Sequence, residues 1–199
     1  MKNRPLLLAA LCGGIFAASP GLAGDFAVAP SYWDTDAAGE TGGGGFILGL
    51  PFNEVIGAEF RATYYEELTD DPLAAAFDSD DPVFQERGIQ VMPLEAGLRF
   101  SFAPGAVFRP YLGGGASYFL LDSDFGEIAD ELGYYAALGA SIGDGDGADF
   151  FVEGTWRKAT AEVELDPQDL EDVDDIEVDE HADVDLDGVG VNLGVRFSF

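Results

Sequence analysis

The sequence predicts an all-β chain of eight antiparallel strands, joined up-and-down and closed into a barrel. Three observations predict it. Apolar residues alternate with small or polar ones at period two through eight segments, each of about ten residues. The connections between those segments alternate short and long. After residue 23, no stretch holds the roughly 20 consecutive apolar residues that a membrane-crossing helix needs.

Composition narrows the function classes first. The chain has 199 residues, 9 Lys+Arg against 38 Asp+Glu and a formal net charge of -29. A general nucleic-acid binder needs a basic footprint and is excluded. At 47% hydrophobic and 13% aromatic, the chain is not an acidic disordered tail. Its 27 Gly, 16 Phe and 7 Tyr favour strands and tight turns. One Cys excludes an internal disulfide framework, and one His leaves a single candidate for any His chemistry.

Residues 1–23 read as a cleaved secretory signal. Lys2 and Arg4 form the charged start, Leu6 to Ala18 the apolar run, and Gly21-Leu22-Ala23 a small-x-small cleavage site. Cys12 lies inside the apolar run with Leu11 before it, so it reads as one more hydrophobe, not a lipidation site. Residues 24–199 then form the barrel. All 38 acids and seven of the nine bases lie there.

The strands follow in order. Segment 25–34 puts Phe26, Val28, Pro30 and Tyr32 on one parity, and glycine-rich 44–52 adds Phe46, Leu48 and Leu50. Segment 55–65 sets Ile56, Ala58, Phe60, Ala62 and Tyr64 against Gly57, Glu59, Arg61, Thr63 and Tyr65. Segment 89–102 sets Met92, Leu94, Ala96, Leu98 and Phe100 against Pro93, Glu95, Gly97, Arg99 and Ser101. Segments 110–120 and 134–142 repeat the pattern more weakly, with Leu112, Ala116 and Tyr118, then Tyr134, Ala136 and Leu138. Segment 149–158 sets Phe150, Val152 and Trp156 against Phe151, Glu153, Thr155 and Arg157. From Val189 to Phe199 one face is wholly apolar, against Gly190, Asn192, Gly194, Arg196 and Ser198. Short connections fall near 51–54, 103–108 and 143–148, where Asp144-Gly145-Asp146-Gly147 reads as a tight turn. Long ones fall near 34–43, 66–86, 122–132 and 162–187.

The charges decide which face is wet. Glu59, Arg61, Glu95, Arg99, Glu153, Arg157 and Arg196 share one parity, and the opposite parity carries no charge within these strands. An Arg or Lys on the lipid side at mid-bilayer costs about 2–4 kcal/mol. The apolar face therefore meets lipid, and the Glu/Arg set forms an ion-pair network in the lumen with Tyr65, Tyr111, Phe119, Tyr135 and Phe151. With the first strand running outward, Tyr32, Tyr64, Tyr118, Tyr134 and Trp156 fall at the outer membrane interface. Phe26, Phe52, Phe100, Phe102, Phe150 and Phe199 fall at the periplasmic one. The whole is an eight-stranded transmembrane β-barrel.

The closing Gly194-Val195-Arg196-Phe197-Ser198-Phe199 and the strand start Arg109-Pro110-Tyr111-Leu112-Gly113-Gly114-Gly115 carry a resemblance. The chain resembles the small eight-stranded outer-membrane barrels: the transmembrane domain of outer-membrane protein A, the opacity-type proteins, and outer-membrane proteins X and W. The resemblance implies residence in the bacterial outer membrane among lipid and lipopolysaccharide. It also implies that the Phe199 segment is read by the barrel-assembly machinery. A monomer with no nucleic-acid partner is expected.

The connections are acidic. Residues 162–187 hold 14 acids and no Lys or Arg, and 66–86 hold eight acids. Val163, Leu165, Val184 and Leu186 continue period two with inverted parity, which predicts that the last hairpin rises above the membrane with these residues inward. Glu162, Glu164, Asp183, Asp185 and Asp187 then point outward. Like charges opposed across strands repel, and divalent cations relieve that. Asp183-x-Asp185-x-Asp187-Gly188 matches the first half of a calcium loop, but its twelfth position is Gly194, so an EF-hand is excluded. No cofactor is expected; weak Ca2+ or Mg2+ at these acids is the one metal reading left open.

Catalysis finds no support. A lipid A deacylase of such barrels needs a His/Ser pair at the outer rim. The lone His181 sits among acids, with no Ser between Ser141 and Ser198. The expected function is a structural or surface-interaction barrel with a charge-filled lumen. The alternative is a narrow channel for small molecules.

Overall fold

The computed structural model describes residues 23–35, 39–65, 89–123, 127–128, 131–145, 147–164 and 181–199. The expected leader and most of the two longest expected connections lie outside the described residues. The elements are β1 (Asp25–Thr35), β2 (Gly39–Pro51), β3 (Ile56–Tyr65), β4 (Ile89–Ser101), β5 (Phe108–Ser123), β6 (Glu127–Ile128), β7 (Glu131–Ile142), β8 (Ala148–Lys158), β9 (Thr160–Glu164), β10 (His181–Asp185) and β11 (Gly188–Ser198). Eight of them close a barrel in the order β1-β11-β8-β7-β5-β4-β3-β2. Every neighbouring pair is antiparallel, and β11 returns to β1. Gly24 and Phe199 exchange two backbone bonds of 3.0 Å at the foot of that seam.

The register fixes the width. A row followed across the strands runs Asp25, Gly49, Glu59, Gly97, Gly115, Tyr135, Arg157, Gly188, and returns to β1 at Thr35, ten residues further along. Ten residues of stagger over eight strands set a tilt of about 40° and a backbone radius of about 8 Å. A bore that narrow has room for side chains only if large ones meet small ones. The row itself mixes four glycines with four larger residues, and large meets small in the cross-strand pairs Tyr65↔Gly43, Tyr111↔Gly139 and Phe151↔Gly194.

Strand pairing reaches further into the outer connections than the alternation suggests. β2 begins at Gly39, inside the expected 34–43 connection, because its glycine run pairs fully with β1 while offering no apolar signal. β7 begins at Glu131. Inside the expected 162–187 connection, β9 and β10 pair in the register of β8 and β11, so one hairpin continues upward without slipping. β6 adds to its edge as a third strand.

The two neighbouring glycines Gly44 and Gly45 test the packing. A Cβ on Gly45, which faces in, would lie 2.6 Å from the Ala62 carbonyl oxygen and 2.7 Å from Thr63 Oγ1. On Gly44, which faces out, the nearest atom is 3.8 Å away. We expect Gly45→Ala to destabilise the barrel by about 1–3 kcal/mol. Gly44→Ala should leave it unchanged or slightly more stable, both read from urea unfolding in detergent.

Candidate functional site

Inward parity brings the predicted charges together. On β3, Glu59 and Arg61 are two residues apart and both face in. Arg61 Nε donates to Glu59 Oε1 at 2.6 Å, while its Nη1 and Nη2 reach across the bore to both oxygens of Glu153 on β8, each at 2.6 Å. Asn192 Nδ2 on β11 donates to the same carboxylate at 2.8 Å. Below this layer, Arg99 on β4 donates to both oxygens of Asp25 on β1 and lies 3.4 Å from Glu59 Oε2. Arg196 Nη1 donates to Ser141 Oγ at 3.3 Å, and its Nε lies 3.2 Å from Asp25 Oδ1 without hydrogen-bond alignment. Above it, Arg157 Nε and Nη2 donate to Glu95 at 2.8 and 3.3 Å, and Nη1 to the Tyr65 hydroxyl at 3.1 Å.

Aromatic rings fill the space between guanidinium planes. Arg61 lies over Tyr135, and Arg196 over both Tyr111 and Phe151, with 5.0–5.1 Å from guanidinium to ring centre. Arg157 faces Trp33 and Tyr65 at 5.6 and 5.8 Å. Trp33 packs on Tyr65 and Phe119, with centroids 5.1 and 6.2 Å apart. These three, with the buried Val91, Leu121, Ala159 and Leu186, make an apolar layer over the charged ones.

The sequence reading omitted three members of the set. Asp25 meets Arg99 and Arg196, and Arg109 pairs with Asp149 while donating to the carbonyls of Ala106 and Gly143 at 2.8 and 2.9 Å. Asp25, Arg109 and Asp149 sit at strand ends, but on the inward parity, and that parity is the signal that finds them. Trp33 was legible the same way. Five acids, Asp25, Glu59, Glu95, Asp149 and Glu153, thus face five arginines, Arg61, Arg99, Arg109, Arg157 and Arg196.

The outer surface is sorted differently. Tyr32, Tyr64, Tyr118, Tyr134 and Trp156 are exposed. Corrected for the stagger, they stand within about 4 Å of one level. Phe26, Phe100, Phe150 and Phe197 lie about 16 Å lower by the same correction. Phe199 is also exposed, beside the seam. Just above the upper ring the outward residues turn charged. Lys158 on β8 pairs with Asp187, whose other oxygen accepts the Ala159 amide at 3.2 Å. Asp185 is exposed, and Glu162 stands opposite Asp183, as His181 does opposite Glu164. The side chains of Glu162, Glu164, His181 and Asp183 lie outside the described residues, as do the leader, 66–88 and 165–180. Among the described residues, no three metal-ligating side chains converge.

The sequence pattern of a known family, the outer membrane protein beta-barrel domain, matches residues 6–197. The chain belongs to that family. As an outer-membrane barrel it is similar in structure to OprG from Pseudomonas aeruginosa, at 17% identity and a TM-score of 0.67, covering 89% of this chain and 97% of that one. It is similar to Neisserial surface protein A at 15% identity and a TM-score of 0.56, covering 90% and 98%. For AlkL, whose structure was determined in lipid bilayers, the values are 12%, 0.58, and 92% of each chain. No curated protein sequence matches the chain. At these identities the likeness carries the fold and nothing finer. The protein resides in the bacterial outer membrane, its exposed apolar face against lipid.

Placed in that membrane, the Arg61–Glu153 and Arg157–Glu95 pairs are cut off from bulk water by the wall and the apolar layer. Breaking a buried pair on one side leaves an uncompensated charge, at a cost of about 3–5 kcal/mol. Glu95→Ala strands Arg157 and should cost that much, read as a lowered urea midpoint. Asp187→Ala, on a pair open to solvent, should move the midpoint far less.

Proposed function

We propose that this outer-membrane barrel works through its outer surface and not through its bore. It is a structural and surface-interaction protein, not an enzyme. The observation that supports this most is the crossed filling of the lumen. Arg61 to Glu153, Arg99 to Asp25 and Arg157 to Glu95 each tie strands that are not neighbours in the barrel. A cavity beside Arg61, Ser31 and Asn192 measures ≈ 10 Å³, room for about one water. The leader ends at Ala23, and the barrel works as a monomer among lipid and lipopolysaccharide, delivered by the assembly machinery through its Phe199 strand.

The outer surface has one chemical character. Asp34 opposes Glu40 across β1 and β2, both exposed, and Glu162 opposes Asp183 higher up. Opposed like charges favour a loose, low-affinity layer of Ca2+ or Mg2+ around these outer strands. Calorimetry with millimolar calcium should give weak heat that salt suppresses. A flat titration counts against the cation reading.

One observation favours the channel alternative. The hydroxyls of Tyr111 and Tyr135 are buried in the lumen without a protein partner, and so is Trp33 Nε1. Such groups are met by ordered water, and a connected line of water would permit slow permeation. Planar bilayers separate the two readings. With folding checked by heat-dependent gel mobility, the surface reading predicts no discrete current steps. Reproducible steps would put the channel first.

A further inference from the structure

The periplasmic rim is not uniform. The turns after β2 and after β4 carry Phe52, Val55, Phe102 and Val107, and β5 opens on Phe108. All five are exposed, Phe52 at 67% and Val107 at 66%. The third turn, 143–147, stands at the same level across the barrel and offers glycines and an exposed Asp144.

The apolar side is one surface, broken at the β2–β3 turn by the exposed Asn53 and Glu54. Phe52, Phe102 and Phe108 keep the outward parity of their strands, so they prolong the lipid-facing rows Leu48–Leu50, Leu98–Phe100 and Leu112. The two apolar turns abut: the Ser101 amide donates to the Val55 carbonyl at 2.7 Å. The surface is also held rigid. Asn53 Oδ1 accepts the amides of Val55 and Ile56 at 2.8 and 2.9 Å. Arg109 pins the Ala106 carbonyl to that of Gly143. Ala103 sits at φ 51, a left-handed backbone that a non-glycine residue adopts only under constraint.

We propose that the β2–β3 and β4–β5 turns are themselves membrane-bound. They insert into the headgroup and upper acyl region of the periplasmic leaflet, while the β7–β8 turn stays in water. Continuity with the lipid-facing rows selects this occupant, because no polar residue separates Phe100 from Phe102 except the inward-parity Ser101. An apolar surface that runs on from the belt lies where interfacial aromatics partition. The barrel axis consequently leans toward the β3–β5 side, and the inner leaflet is engaged unevenly around the rim.

Nitroxide labels test this. Val55→Cys, Val107→Cys and Asp144→Cys are each made in the full chain carrying Cys12→Ser, which removes the lone cysteine. The proteins are folded into phosphatidylethanolamine–phosphatidylglycerol vesicles and checked by heat-dependent mobility. Collision with oxygen is compared with collision with a water-soluble nickel chelate. Labels at 55 and 107 should show an oxygen-to-nickel ratio several-fold above that at 144. Equal ratios at all three positions would overturn the proposal. So would nickel access at 55 and 107 in vesicles combined with protection of the same cysteines from maleimide in whole envelopes, since that pattern assigns the surface to a periplasmic protein.

Discussion

An arginine inside a bore of about 8 Å backbone radius, walled from water, has to be met by a carboxylate. The rest of the barrel is arranged around that demand. The guanidinium of Arg61 spans the bore to both carboxylate oxygens of Glu153 while its Nε holds Glu59 on its own strand. The inward parity carries the charged partners, and the outward parity is left apolar for lipid. Closure of β11 onto β1 brings Arg196 beside Asp25, so the seam is part of the same network.

Charge is thereby sorted by place. Of nine Lys and Arg, Lys2 and Arg4 lie before the described residues and five arginines are spent inside. Arg87 and Lys158 remain, and Lys158 is engaged by Asp187. The lumen is balanced, so the chain's large negative excess belongs to its connections. Charge of one sign repels phosphate-bearing lipid unless cations intervene, so the proposed surface role and the proposed cation layer belong together. At the opposite rim the same economy leaves turns with little charge, and there apolar residues are exposed.

Strand existence and facing were legible from alternation alone, since one residue of slip would turn every side chain to the wrong face. Of the residues that carry the parity inversion above Trp156, Leu186 is buried as expected, and the side chains of Val163, Leu165 and Val184 lie outside the described residues. Partners were not legible. Arg61 and Glu153 are 92 residues apart in the chain, and only the ten-residue stagger puts them at one level. Strand ends were harder to read: at Asp25, Arg109 and Asp149 the inward parity is the one signal, without the run of alternation that supports it mid-strand. The start of β2 was hidden because Gly42 to Gly45 pair through backbone and offer no side chain to read.

Cross-lumen pairing holds the charged barrel interior together, and a double-mutant cycle on Arg61 and Glu153 tests it most directly. Arg61→Met, Glu153→Gln and the double variant would be unfolded in urea from the same detergent. The second substitution should cost little once the first is made, with a coupling of at least about 2 kcal/mol. Additive losses would contradict it and leave the lumen charges as separately solvated groups in a wetter bore.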